Sequence, residues 1–385
     1  GDIIGYQKAL YIGLSVFMLG SLLGFLVRSI EALIIARMMM AAASAMIVPN
    51  ASAMLRTQLP EEVLPFAYGI FGATMGAAAA VGPLLGGALT QLFDWPAIFL
   101  LNVPWALIAL GLIVTTSKKQ DGNPKSKLDL RSTMLLALAI GSLQAGFLGS
   151  EIDFRFLIPG VVMLVLFILM QLRVDNPVFN PRFFKKPSYL AAGCTTSLSN
   201  FTMYAILFQL PIFFIDIRGV SEIEIASALT AMTVCMMIGG PLAGIAGRLI
   251  GPRYTAVLAA AANLFGLYLF SDLDAVMQPA DIIIAMGLMG FAGGMAGPVV
   301  QSAGMLSIEK EHAGMAAGGL STMRYFGGTI GISVLSLQLG SEGVTTIGQH
   351  LSVIPFYAAA LIMVMLAAFL LPVSNKNGHS EKVPG

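Results

Sequence analysis

KALYIGLSVFMLGSLLGFLVR, residues 8–28, carries no charge between Lys8 and Arg28. At ~1.5 Å per helical residue, a run of this length reaches across the ~30 Å hydrocarbon core of a bilayer. Backbone N–H and C=O groups find no water there, and the run is too long for a tilted strand of ~10 residues, so it reads as a helix. Similar runs follow at about 31–55, 66–91, 96–116, 131–149, 155–172, 188–215, 223–246, 254–271, 280–305, 314–338 and 351–372. The expected fold is therefore an all-α integral membrane bundle with about twelve transmembrane helices.

Composition agrees with that reading: 57% of residues are hydrophobic and 11% charged, against ~25% charged in soluble domains. A net charge of +1 gives no argument for nucleic acid. Cys194 and Cys235 both fall inside apolar runs, so they read as two buried, inert thiols rather than a disulfide. No signal peptide is visible, and a start at Gly1-Asp2 reads as a cut start.

The gaps between runs alternate in charge. One set holds Lys118, Lys119, Lys125, Lys127 and Arg131, then Arg173, Arg182, Lys185 and Lys186, then Arg248 and Arg253, with Lys376 and Lys382 in the tail. By the positive-inside rule these gaps are expected in the cytoplasm of a cell-membrane protein. The other set holds Arg28, Arg155 and Arg218 beside Glu31, Asp94, Glu151, Asp153, Asp216, Glu222, Asp272 and Asp274, and is expected outside. Leu59-Pro60, Gly122-Asn123-Pro124 and Asp175-Asn176-Pro177 punctuate gaps as linkers. The simplest partition is a first helical bundle over 1–116, basic linkers with an inserted helix pair over 117–187, a six-helix bundle over 188–372 and a tail over 373–385.

The segment Gly69 to Leu89 places Gly72, Gly76 and four alanines before Gly82-Pro83-Leu84-Leu85-Gly86-Gly87. Small residues let neighbouring helices approach, and Pro83 removes one backbone hydrogen bond, so this helix reads as a hinge or as a tightly packed wall. It resembles the antiporter motif in the fifth helix of drug exporters of the major facilitator superfamily. Gly1-Asp2, Gly5 and Lys8 resemble the end of that family's loop signature between helices two and three, with Tyr6 and Gln7 departing from its basic residues. Leu33-Ile34-Ile35-Ala36-Arg37 with Ala45 and Pro49 is similar to the fourth-helix motif, although Met40 and Ala41 depart from it. Asp94-Trp95-Pro96-Ala97-Ile98-Phe99-Leu100-Leu101-Asn102-Val103-Pro104 and Met323-Arg324-Tyr325-Phe326-Gly327-Gly328-Thr329-Ile330-Gly331 resemble the fourteen-helix drug:proton antiporter branch. That resemblance implies a protein of fourteen helices, with helices one and two, and the acidic residue the family commonly carries early, upstream of Gly1. Gly244 to Arg253 reads as a second copy of the loop signature, with Arg248 and Gly251 opposite Asp2 and Gly5.

Polar residues inside spans are the candidate site. Arg324 lies ~15 Å deep, where a charge costs on the order of 3 kcal/mol, so it is expected to face a cavity or a partner. Arg37 becomes a proton-coupling candidate through the resemblance, although it also sits close enough to Glu31 to snorkel outward. Asn200, Tyr204, Gln209 and Gln301 either line a cavity or bond to neighbouring helices. The methionines suit a deformable site or act as filler, the latter being the expectation. No Asp or Glu falls in the middle of a span, and His312, His350 and His379 are placed in loops or the tail, where they form no metal site.

His-Glu-x-x-His, Gly-x-Ser-x-Gly and phosphate-binding-loop motifs are missing from the sequence, which disfavours an intramembrane enzyme or an ATP-driven pump; no cofactor is expected. The resemblance implies proton-coupled efflux of drugs or other lipophilic small molecules by alternating access. An exporter of one endogenous metabolite and an uncoupled facilitator remain alternatives. The expected partners are a small-molecule substrate, protons and the lipid bilayer, with no nucleic acid; the sequence names no accessory export protein.

Overall fold

Side-chain caps open several helices of the computed structural model. Ser29 accepts from the Ala32 N–H, Asp153 from the Arg155 N–H, and Thr346 forms a reciprocal capping box with Gln349. The structure describes residues 1–116, 129–147, 152–174, 177, 179–218, 222–271, 279–340 and 345–373, together with all side chains there except those at 79, 80, 83, 84, 87, 91, 116, 218, 222–225 and 279. Lys118, Lys119, Lys125, Lys127, Glu151, Asp272, Asp274, Lys376, His379 and Lys382 lie outside the described residues, as do the side chains of Pro83, Arg218 and Glu222 and position Gly87.

A helix stands at each of the twelve expected positions. They are α1 (Tyr6–Leu26), α2 (Ile30–Gln58), α3 (Leu64–Phe93), the pair α4 (Ala97–Leu100) and α5 (Asn102–Thr116), α6 (Leu130–Ala145), α7 (Phe154–Arg173), α8 (Pro187–Phe213), α9 (Glu222–Leu249), α10 (Pro252–Ser271), α11 (Pro279–Leu306), α12 (Ala313–Leu339), and the pair α13 (Ile347–Ser352) and α14 (Ile354–Ala368). Among the described residues, nine of these stretches are long and apolar enough to cross a membrane. The stretch expected at 96–116 is divided at Leu101, and the Asn102 side chain that starts α5 donates to Ser21 Oγ of α1 at 3.1 Å. Asp94, which opens the motif, has φ 79; its carboxylate accepts the Trp95 N–H at 2.8 Å and lies 3.8 Å from Arg28.

Two expectations need correction. His350 is not a loop residue: it sits fully buried in α13, its Nε2 2.8 Å from Thr345 Oγ1, whose hydroxyl also reaches Asp216 at 2.7 Å. Cys194 and Cys235 are free but only partly buried, and neither lines the cavity described below.

Glycine determines which helices touch. A Cβ at Gly290 would lie 1.9 Å from Met232 O, and one at Gly294 2.3 Å from Met236 O, so α11 lies backbone to backbone on α9. Gly69 and Gly240 face each other in the same way between α3 and α9, each Cβ falling within 2.6 Å of the other's carbonyl oxygen. These contacts replace the hydrophobic drive that lipid removes. Further along α3, a Cβ at Gly82 or Gly86 meets nothing within 4 Å among the described residues.

Ends of helices with the same expected sidedness meet one another. Asp2 reaches Gly314, Arg248 reaches Glu62 O at 2.7 Å, and Lys186 reaches Ser307 O and Glu309, all at the end carrying the basic gaps. The Lys186 ammonium hydrogen-bonding to Glu309 holds that carboxyl below the usual carboxylate range.

Candidate functional site

Six helices surround a cavity of about 270 Å³. Phe71 and Met75 come from α3, Met203 and Tyr204 from α8, Met232 and Met236 from α9, Asn263 from α10, Met289 and Gln301 from α11, and Arg324 and Tyr325 from α12. The glycines that bring α9 and α11 together also leave room here, since Gly290, Gly293, Gly294 and Gly297 are all part of the wall. Sequence reasoning expected the methionines as filler; five of the 23, Met75, Met203, Met232, Met236 and Met289, line this space, and Met232 and Met289 are at the same time part of the buried core.

One directed hydrogen-bond chain runs from the cavity to the helices opposite. Arg324 Nη2 donates to Gln301 Oε1 at 2.9 Å, and Gln301 Nε2 donates to Ser52 Oγ at 3.0 Å. Ser52 Oγ donates to Tyr68 OH at 3.3 Å, and the phenol donates back to Ser52 O at 2.9 Å. Residues of α12, α11, α2 and α3 are thereby joined in a buried polar line, where each bond is stronger than it would be in water. Ser52 and Tyr68 had no signal in the sequence beyond being polar atoms near the start or end of an apolar run.

The other sequence candidates divide clearly. Asn200 and Tyr204 line the cavity, but the Asn200 amide is committed to Thr196 O of its own helix at 2.7 Å. Gln209 lies outside the cavity, fully buried: it donates to His350 O at 2.9 Å and accepts from Tyr357 OH at 3.0 Å, fastening α8 to α13 and α14. Arg37 is exposed, its guanidinium 4.6 Å from the centre of the Phe99 ring, and does not reach the cavity. Gly82 and Gly86 lie on a continuous helix and meet no neighbour within 4 Å of a Cβ among the described residues.

At the basic-gap end, Asp2 sits on the start of α12. Its carboxylate accepts the Gly314 and Met315 N–H groups at 3.1 and 3.0 Å and the Tyr6 hydroxyl at 2.5 Å. No side chain caps α12 at His312, so Asp2 does so from a distant part of the chain. Gly5 and Gly251 stand in equivalent places, one residue before α1 and one before α10, with φ of 90 and 87 that only glycine adopts easily. Arg248 donates to Glu62 O. Replacing Asp2 with asparagine is expected to cost about 1 kcal/mol through the lost charge at the helix start. A thermal unfolding scan should show that loss, while Asp94→Asn, on an exposed pair with Arg28, should leave the transition in place.

Arg56 was missed. Its side chain is only 5% exposed, and it donates through Nε to Met305 O at 3.0 Å and through Nη2 to Ile308 O at 3.3 Å, with Glu61 3.2 Å from Nη1. The signal available was a lone arginine closing an apolar run.

The arrangement is a central polar and apolar cavity in a helical membrane bundle whose helix ends meet at the basic-gap end, and known proteins share the fold. The solved structure of the human organic anion transporter MFSD10 (TETRAN) superposes with a TM-score of 0.72 over 95% of this chain and 78% of that one, at 14% identity, a likeness of fold alone. The tetracenomycin C resistance and export protein of Streptomyces glaucescens is 28% identical over 89% of this chain and 65% of its own length. Methyl viologen resistance protein SmvA of Salmonella typhimurium (strain 14028s / SGSC 2262) is 30% identical over 88% of this chain and 70% of its own length. This chain thus spans about two thirds of those two relatives. Residues 1–133, 130–332 and 192–383 each match the Major Facilitator Superfamily, and the chain belongs to that family of membrane transporters rather than to any family of enzymes.

Proposed function

We propose that this protein exports drugs or similar lipophilic small molecules by alternating access, in exchange for protons, as a member of the fourteen-helix drug:proton antiporter branch. The observation that carries the reading is the cavity of about 270 Å³ whose wall sets five methionines and four aromatic rings among glycines and small polar side chains, with the Arg324–Gln301 pair. Methionine adapts to differently shaped apolar ligands, which suits a site that takes several compounds. The names of the export and resistance relatives point the same way. In this reading the basic gaps face the cytoplasm, residues 1–116 and 188–372 form the two moving halves, and 117–187 carries an inserted pair. Arg324 belongs to the working core, Arg37 takes part in coupling, and the Gly82–Gly87 helix is the moving wall.

Cells expressing the complete gene, loaded with fluorescent lipophilic dyes, should extrude dye, and a protonophore should stop them. Extrusion that ignores the protonophore would remove proton coupling; no extrusion of any dye at normal membrane expression would favour a narrow metabolite transporter. Gly82→Leu gives a second test. Among the described residues nothing lies within 4 Å of a Cβ at Gly82, so this variant should fold normally. If that face packs closed later in the cycle, transport should fall by about tenfold or more, as expected when an inserted side chain costs ~1–3 kcal/mol in a packed state.

A further inference from the structure

We infer that the cavity selects amphiphilic organic anions: a small aromatic body bearing one carboxylate, sulfonate or phenolate, with its charge against Arg324. The inference rests on the reading of this cavity as the transport site, and it adds the chemical class of what enters.

Arg324 projects from the middle of α12 into the cavity with five N–H donors to place. The described protein accepts one hydrogen bond from it, at Gln301 Oε1, and that acceptor is neutral. Among the described residues lining the cavity there is no aspartate or glutamate; the polar groups are Asn200, Asn263, Gln301 and neighbouring serines and threonines, with Tyr68, Tyr204 and Tyr325. A guanidinium in a poorly solvated space without a counter-charge is unfavourable, and a planar oxyanion of a ligand supplies both the charge and the paired acceptors that its fork-shaped donors match. A cationic ligand in the same space meets like charge at low dielectric.

Two further observations shape the ligand. Thr195 and Asn263 belong to the cavity wall, and their Oγ1 and Oδ1 atoms, buried just behind its surface, have no hydrogen-bond partner among the described residues, so a side-chain rotation is all that would present them to a ring hydroxyl or amine. The remaining wall, including Met203, Met232, Met236 and Met289, offers soft sulfur and methyl surface to ring faces. About 270 Å³ lies just below the usual range for drug-sized sites, which limits the body to about four rings, the size of a xanthene dye.

The test uses the full chain in nanodiscs of zwitterionic lipid, with two xanthene dyes of opposite charge, fluorescein and tetramethylrhodamine methyl ester, followed by fluorescence anisotropy. Fluorescein should bind saturably and at least about tenfold more tightly than the cation, the scale of one charge-assisted contact. Arg324→Gln should remove that preference and Arg324→Lys should keep most of it. On the unmutated protein, naphthoate should displace fluorescein where naphthamide does not, a result that stands even if the Arg324 variants fail to insert. Equal binding of the two dyes, equal displacement by the amide, or fluorescein affinity unchanged in Arg324→Gln would each overturn the inference. Dye export from cells is scored separately: an anion bound but not exported defeats the export reading and leaves this one, whereas a cation exported without anion binding does the reverse.

Discussion

Gly327→Leu should yield no well-behaved protein, and Gly327→Ala only a weakened one. A Cβ at Gly327 would fall 2.0 Å from Ser197 O, and one at Gly331, a turn later, 2.1 Å from Phe201 O. The obstacle in both cases is backbone of α8, which cannot rotate aside as a side chain can. Overpacking of a core costs ~1–3 kcal/mol when side chains yield, and more is expected where a helix has to move. That movement would also part α8 from α12, which together present Asn200, Tyr204 and Arg324 to the cavity. Gly318 on the same helix has nothing within 4 Å of its Cβ among the described residues, so Gly318→Leu is the control and should match the parent. Size-exclusion profiles and thermal transitions in detergent measure the difference. A normal profile for Gly327→Leu would mean that α8 and α12 do not lie this close.

That prediction marks where the sequence stops being informative. The twelve helices were legible, though the start of the last was not, because hydrophobic runs and charged gaps are local properties of the chain. With 42 glycines in the chain, the ones that set helix contacts could not be separated from Gly82 or Gly318, since a contact depends on a partner helix that periodicity does not name. The site behaved likewise. Arg324 and Gln301 were each visible as polar groups in apolar runs, but their pairing, and its continuation to Ser52 and Tyr68, required four helices to be placed together. Gln209 had the same local signature as Asn200 and proved to be a fastening between helices, which only its partners His350 and Tyr357 reveal. Arg56 carries no distinguishing signal in the sequence, since an arginine at a span's end can equally snorkel to water; its acceptors lie some 250 residues away in the chain.

Arg56→Ala should open the basic-gap end of the protein. The guanidinium comes from α2 and its acceptors, Met305 O and Ile308 O, from the end of α11 and the link beyond it, so these bonds exist only while the two elements are together. Met305 O is one of the last carbonyls of its helix, which have no intrahelical partner and carry the negative end of the helix dipole. Hydrogen bonds from a charged donor are worth ~1.5–3 kcal/mol each, and water recovers part of the loss once the end opens, so a net ~3 kcal/mol, about a hundredfold shift in population, is expected. Gly297 provides the reporter, because it lines the cavity and nothing lies within 4 Å of its Cβ. With Cys194 and Cys235 replaced by alanine and Gly297 by cysteine, a membrane-impermeant thiol reagent should react faster from the basic-gap side in the Arg56→Ala background and more slowly from the opposite side. Arg56→Lys keeps the charge but not the two-armed reach, so it should fall between. Glu61→Gln should change little, since that carboxylate is 58% exposed and its pairing is screened by water. Labelling unchanged from both sides, in a variant whose thermal transition is normal, would show that Arg56 braces the bundle without holding it shut. The same rates rising from both sides at once would indicate general loosening rather than a shift between two states.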